Sequence, residues 1–263
     1  MKPKLLVVGG GRMGSALIGG LLRAGWASVD DLAVSDPDAA QRERLAGRHP
    51  GLGVHQEPMA ADGAVLCVKP DVAEPALASL REAGIHRVLS IVAGMSTGRL
   101  EAALAPGDVV IRAMPNSPSL IGAGVAAMSG GSAATPSDLE WAEGILTALG
   151  TVVRLPERHL DAVTGLSGSG PAYVYLVAEA LIEAGVAAGL SHHVSRQLVV
   201  GTMLGSARMM DETGTDPAEL RAEVTSPGGT TTAGLRSLES KAVRSAFIEA
   251  VAAATERSRQ LGR

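Results

Sequence analysis

Three glycines spaced Gly9-x-Gly11-x-x-Gly14 stand between an apolar run, Leu5-Leu6-Val7-Val8, and a helical pattern of Ala16, Leu17, Ile18, Leu21 and Leu22 that ends at Gly25. In a strand–turn–helix setting each glycine has its own task. Gly9 allows the tight turn, Gly11 admits a pyrophosphate close to the backbone, and Gly14 lets helix pack on strand. The free N–H groups of the helix start then face the diphosphate. Val8, Gly9, Gly10, Gly11, Arg12, Met13 and Gly14 are therefore the expected cradle of a dinucleotide. The ribose should be read at the end of the second strand. There Ser35 could donate to a 2′-phosphate, with Arg12 supplying charge, while Asp36 could accept from a 2′-hydroxyl or simply cap the helix after Pro37. The residues leave NADPH and NADH both open.

Three further segments fall at the carboxyl ends of strands, where open α/β sheets bind ligands. They are Cys67-Val68-Lys69-Pro70, Ala93-Gly94, and Asn116 within Met114-Pro115-Asn116-Ser117-Pro118. Lys69 reads as a cofactor or substrate contact, or as an ordinary exposed lysine. Asn116 reads as an amide that orients a nicotinamide, or as a turn residue between prolines. Cys67 reads as an inert strand residue. In the second half, Gly165-Leu166-Ser167-Gly168-Ser169-Gly170-Pro171 and Ser226-Pro227-Gly228-Gly229-Thr230-Thr231-Thr232 each precede a helix. Small residues and free N–H groups at helix starts suit a small carboxylate; a polar loop capping a helix is the plainer reading of either.

The elements that must position these residues alternate. Apolar runs at 5–8, 32–35, 64–68, 88–92 and 109–111 are separated by helical patterns, which predicts βαβ units and a mostly parallel, doubly wound, Rossmann-like sheet. Val125–Met128 and Val152-Val153 add strands, and Ser137-x-x-Glu140 reads as a capping box. From about Pro156 the strand signals stop. Four helices are expected: Pro171 to Ala188, Ser191 to Met210, one opened by Asp216-Pro217-Ala218-Glu219, and a long one from Thr231 to Gln260. The α/β chain thus divides into a dinucleotide-binding domain, 1–158, and an all-helical dimerisation and substrate domain, 159–263. The helical part carries more apolar surface than its own fold can cover, which predicts a homo-oligomer.

Composition narrows the classes. The 263 residues include 23 Lys+Arg and 27 Asp+Glu, a net charge of −4, with 46% apolar and only 2% aromatic residues. A mildly acidic chain without basic clusters or stacking side chains argues against nucleic acid. A single cysteine excludes an internal disulfide framework and an all-cysteine metal site, and no metal is expected. The apolar run after Met1 is too short for a secretory signal, and no stretch of 18 uncharged apolar residues predicts a membrane span. A cytoplasmic location is expected.

Taken together, the chain resembles the pyrroline-5-carboxylate reductases, enzymes that make proline. The resemblance spans essentially the whole chain. It rests on Gly9–Gly14, Val68-Lys69-Pro70, Ala93-Gly94, Arg112-Ala113-Met114-Pro115-Asn116, Ser167-Gly168-Ser169-Gly170-Pro171-Ala172-Tyr173 and Ser226-Pro227-Gly228-Gly229-Thr230-Thr231. It implies a nucleotide-binding domain followed by a helical domain that interlocks with a second subunit. Dimers are implied, in some members assembled as pentamers of dimers. The implied reaction is NAD(P)H-dependent reduction of L-1-pyrroline-5-carboxylate to L-proline. The glycine–threonine segment would clamp the substrate: N–H groups of Gly228, Gly229 and Thr230 on the ring carboxylate, the Thr231 hydroxyl on the ring nitrogen, and Ser169 lining the pocket. Ala222 stands where the family often has aspartate, so no carboxylate role beside that loop is carried over from the resemblance; Ser117 and Cys67 replace a common threonine and alanine. A protonated imine needs no strong general acid. That fits a chain whose only lysine after residue 69 is Lys241, and it disfavours hydroxyacid dehydrogenases of similar architecture. A dinucleotide-sensing protein without turnover is the non-enzymatic alternative.

Overall fold

The computed structural model describes residues 2–262. The chain divides into two compact units: one of residues up to Ser169 together with those from Ala252 onward, the other Gly170–Val251.

The first unit is built on eight strands: β1 (Leu5–Val8), β2 (Leu32–Ser35), β3 (Gly53–His55), β4 (Ala64–Leu66), β5 (Arg87–Ser90), β6 (Val109–Met114), β7 (Gly124–Gly130) and β8 (Gly150–Arg154). Their order is β3-β2-β1-β4-β5-β6-β7-β8. All neighbours are parallel except β6 and β7, which run antiparallel from Ile111 opposite Gly130 to Met114 opposite Ala127. The order reverses between β1 and β4, so the crevice beyond their carboxyl ends is the sheet's switch point. β3 is absent from the sequence expectation because three half-buried residues give no period to read.

The helices that alternate with these strands are α1 (Arg12–Arg23), α2 (Ala39–Arg48), α3 (Ala73–Glu82), α4 (Thr97–Ala102) and α5 (Pro136–Thr147). Alternation along β1 assigns the two faces of the sheet. Leu5 and Val7 pack with Leu17, Ile18 and Leu21 of α1, whereas Leu6 and Val8 pack with Leu77 and Leu80 of α3. Each fully buried leucine contributes about 1.5–3 kcal/mol. α5 starts earlier than the Ser137 reading: Thr135 is the cap, paired reciprocally with Asp138, and Pro136 takes the first helical position.

Beyond β8 the chain is helical. α6 (Leu160–Val163) passes through a π-helical stretch, Thr164–Gly168, into α7 (Gly170–Ala187). The Gly165–Pro171 segment is therefore not a loop opening a new helix but a widened turn inside a continuous one. The Ser169 N–H donates to the Thr164 carbonyl at 2.8 Å. Small side chains permit that widening, and Gly168 also lies so close to Met114 that a Cβ would meet its Cε at 2.7 Å.

α8 (His192–Thr213) and α9 (Pro217–Glu223) follow, capped by Ser191 and Asp216. The expected final helix is two: α10 (Thr230–Ser240) and α11 (Val243–Leu261). They are separated at Ala242, whose φ of 54° is the one positive value of a non-glycine among the described residues. Length and composition would let the run Glu157–Ala187 cross a bilayer, a property that counting uncharged runs did not register. In the isolated chain its apolar side chains Val174, Tyr175, Leu176 and Leu181 are exposed, as are Leu198, Leu204 and Met209 of α8.

Candidate functional site

At the switch point the backbone of β1 turns away through Gly9, at φ +93°, where a Cβ would lie 2.7 Å from the Cys67 carbonyl oxygen at the end of β4. A Cβ on Gly14 would fall onto the Gly9 carbonyl, whereas one on Gly11 would meet nothing within 4 Å. Turn, helix packing and an open approach are thus divided among the three glycines as their spacing requires. Gly11 caps α1 without a side-chain bond. Among the described residues, the N–H groups of Gly11, Arg12 and Met13 donate to no protein acceptor. A helix start of this kind favours an anionic group.

The turn is braced from two sides. The Gly10 N–H donates to Asp36 Oδ2 at 2.8 Å, and the other Asp36 oxygen accepts from the Asp38 N–H at 2.9 Å. Asp36 therefore tethers the glycine turn, and Asp38 caps α2 by accepting from the Ala40 N–H at 3.0 Å. The Gly10 carbonyl accepts from Ser15 Oγ at 2.7 Å and from the buried Gln41 amide. Gln41 is a support that sequence reading missed; its only signal is a polar residue on the inner face of α2.

A cleft of about 180 Å³ opens beside this turn, walled by Val8, Gly9, Ser35, Pro58, Val68 and Val72. The Ser35 hydroxyl in its wall is buried and has no hydrogen-bond partner among the described residues. An unsatisfied hydroxyl, free helix-start amides and apolar walls fit the ribose, diphosphate and base of a dinucleotide. Lys69 stands exposed at the mouth of the 3₁₀ turn Pro70–Val72, and Ala93 and Gly94 turn out of β5 with Gly94 at φ +77°. Burial pushes the Cys67 thiol up to about 12, so it stays protonated and unreactive at neutral pH.

Asn116 is used at both ends. Its Oδ1 accepts from the Val125 N–H at 2.9 Å and its Nδ2 donates to the Ser167 carbonyl at 3.2 Å. That carbonyl needs an outside donor because the residue one turn later, Pro171, has no N–H. One Nδ2 hydrogen remains for a ligand.

Behind β6 lies a polar cluster that the sequence does not announce. Arg112, 7% exposed at its side chain, pairs with Glu157 at 3.2 Å and Asp161 at 3.5 Å. Glu157 also accepts from the Thr97 N–H at 2.6 Å and Oγ1 at 2.5 Å, and Asp161 from Ser258 Oγ at 2.8 Å. Burial pushes the Glu157 carboxyl up, but the Thr97 hydrogen bonds and the Arg112 guanidinium outweigh it and hold the group below its ordinary 4.5. A carboxylate with a lowered folded-state value gives stability that is present above 4.5 and lost as pH falls through that lowered value. Melting curves across about pH 6 to 3 are expected to show wild type losing Tm on acidification more steeply than Glu157→Gln. Parallel curves would remove this group from acid unfolding.

In the second unit, Gly228 at φ +72° turns the chain into α10, and Gly229 is its cap residue. The Gly229 N–H is used within the turn, donating to the Ser226 carbonyl at 3.1 Å, which removes it from the expected set of substrate donors. The N–H groups of Gly228, Thr230 and Thr231 have no partner among the described residues. Thr232 Oγ1 binds the Ser226 carbonyl at 2.6 Å. Thr231, at the second helical position, is therefore not the cap, and its hydroxyl makes no hydrogen bond to another described residue. No three His, Cys, Asp or Glu side chains among the described residues come together as a metal site.

Residues 157–261 match the family described as pyrroline-5-carboxylate reductase dimerisation, and residues 4–94 one described as NADP oxidoreductase coenzyme F420-dependent. The exposed apolar faces of α7 and α8 lie inside the dimerisation match, and the chain forms a homo-oligomer. A pyrroline-5-carboxylate reductase of Synechocystis is 41% identical over 268 residues, covering 100% of both chains. The structure of a Coxiella burnetii pyrroline-5-carboxylate reductase superposes with a TM-score of 0.92 at 32% identity, covering 100% of both chains. That of the Plasmodium falciparum pyrroline carboxylate reductase with NADP bound gives 0.88 at 32%, covering 99% of this chain and 98% of that one. With its doubly wound nucleotide fold, its free-amide helix starts and this likeness along its whole length, the chain belongs to the pyrroline-5-carboxylate reductase family.

Proposed function

We propose that this protein reduces L-1-pyrroline-5-carboxylate to L-proline with NADPH or NADH, the last step of proline biosynthesis. Family membership along the full chain carries the reading. Residues 1–158 act as the cofactor-binding domain and 159–263 as the helical dimerisation and substrate domain. When bound, the nicotinamide supplies a hydride to the imine carbon. The N–H groups of Gly11, Arg12 and Met13 hold the diphosphate. Ser35 reads the ribose, and Val68, Lys69, Pro70, Ala93, Gly94 and Asn116 line the path to the ring.

The substrate's carboxylate is received by the N–H groups of Gly228, Thr230 and Thr231, where the start of α10 favours negative charge. The Thr231 hydroxyl meets the ring nitrogen, and Ser169 lines the pocket. Because the imine nitrogen arrives protonated, hydride addition neutralises it, and the protein's contribution is orientation and electrostatics. The working particle is a homo-oligomer, a dimer or a pentamer of dimers, in the cytoplasm.

The assay is direct: pyrroline-5-carboxylate is supplied with NADPH or NADH and loss of the reduced nicotinamide absorbance is followed. Consumption with proline formed is expected. Cofactor binding without turnover of this imine would overturn the reading.

A further inference from the structure

A second cavity, about 420 Å³, runs between α1 and α2 and shares no lining residue with the cleft of Ser35 and Val68. Its walls carry Arg12, Arg23, Arg44, Arg48 and His49, and no carboxylate. Arg12, Arg23 and Arg48 make no ion pair or hydrogen bond among the described residues. Among the described residues the Arg44 guanidinium reaches only the neutral Gln41 Oε1, at 2.6 Å. Arg23 folds back along α1 over Gly19, where a Cβ would stand 3.1 Å from its Nη1, so a missing side chain makes room for the guanidinium. His49 Nε2 is buried without a partner among the described residues. Burial first, then Arg48 and Arg23, push its pKa below the ordinary value, so the ring is neutral at neutral pH.

Four guanidinium groups around one cavity repel one another, and an anion of two or more charges reverses that repulsion. The planar forks of arginine match phosphate oxygens, and a neutral imidazole N–H adds a donor without adding charge. We propose that this groove is a phosphate-binding site, suited by its volume and its four guanidinium groups to a di- or triphosphate-class anion. Gly11 belongs both to the groove and to the glycine turn, and Arg44 touches Gln41, which holds the Gly10 carbonyl. An anion here therefore contacts the support of the cofactor cradle. The phosphate has two sources: a free anion, or the 2′-phosphate of the dinucleotide.

Calorimetric titration of the intact protein in phosphate-free buffer, with pyrophosphate, NADP⁺ and NAD⁺ as separate probes, tests the site. The comparison is wild type against Arg23→Gln/Arg48→Gln. Pyrophosphate is expected to bind wild type and to bind the double variant at least about ten-fold more weakly, with NAD⁺ affinity unchanged. Unchanged NADP⁺ affinity then identifies a free anion as the ligand. A loss confined to NADP⁺ identifies the 2′-phosphate, and either outcome supports the site. Gly19→Asp is the second variant. It places a carboxylate beside the flexible end of Arg23 and is expected to abolish pyrophosphate binding in a protein with unchanged circular dichroism. Equal pyrophosphate affinity in all three proteins, or none in wild type, with NADP⁺ affinity also unmoved, would overturn the proposal. The NAD⁺ arm reports separately on the cofactor cradle.

Discussion

Thr231→Ala is expected to lower kcat for imine reduction about a hundred-fold, the usual cost of removing one oriented donor from a reacting centre. Cofactor affinity should not move. The reason is positional. Gly229 already caps α10 and Thr232 already ties the turn to Ser226, so the Thr231 hydroxyl has no structural task among the described residues. Its loss should leave folding unchanged, and Thr231→Ser, which keeps the hydroxyl, should recover most of the rate. Steady-state kinetics with direct measurement of nicotinamide binding checks both halves. An alanine variant that folds normally and turns over at the wild-type rate removes Thr231 from the mechanism.

Arg112→Ala is expected to destabilise the protein by about 3–5 kcal/mol, because it leaves Glu157 and Asp161 facing a buried position without their cation. That is a large part of the 5–15 kcal/mol that holds a typical domain together. The same three side chains join β6, α4, the start of the helical run and α11, through Thr97 and Ser258. Urea unfolding at fixed protein concentration reads the effect. A shift below about 1 kcal/mol would show that the pair offsets little more than its own desolvation.

The glycine turn and seven of the eight strands were legible because each leaves a one-dimensional mark: a fixed spacing, or an apolar run with a turn behind it. What escaped was set by partners distant in sequence. Nothing near Gln41 announces that its amide holds Gly10, and nothing near Arg112 announces Glu157, which lies 45 residues on. The Gly165–Pro171 segment carries every mark of a loop, yet its backbone groups are satisfied inside a widened helix and by Asn116, 51 residues earlier. The break at Ala242 has no glycine or proline to signal it. In the glycine–threonine turn the sequence located the donors, but only the backbone bond from Gly229 to Ser226 shows which of them is already engaged.

The chain's return to its first unit after Ala252 has a practical side. Leu261 and Gly262 lie against Gly94, where a Cβ on that glycine would come within 3.2 Å of Leu261. Residues 261 and 262 thus lie next to the turn that follows β5, on the nucleotide edge of the sheet. Residues 170–251 are an excursion fastened at both ends, so cutting the chain once within them would leave each fragment holding part of the first unit.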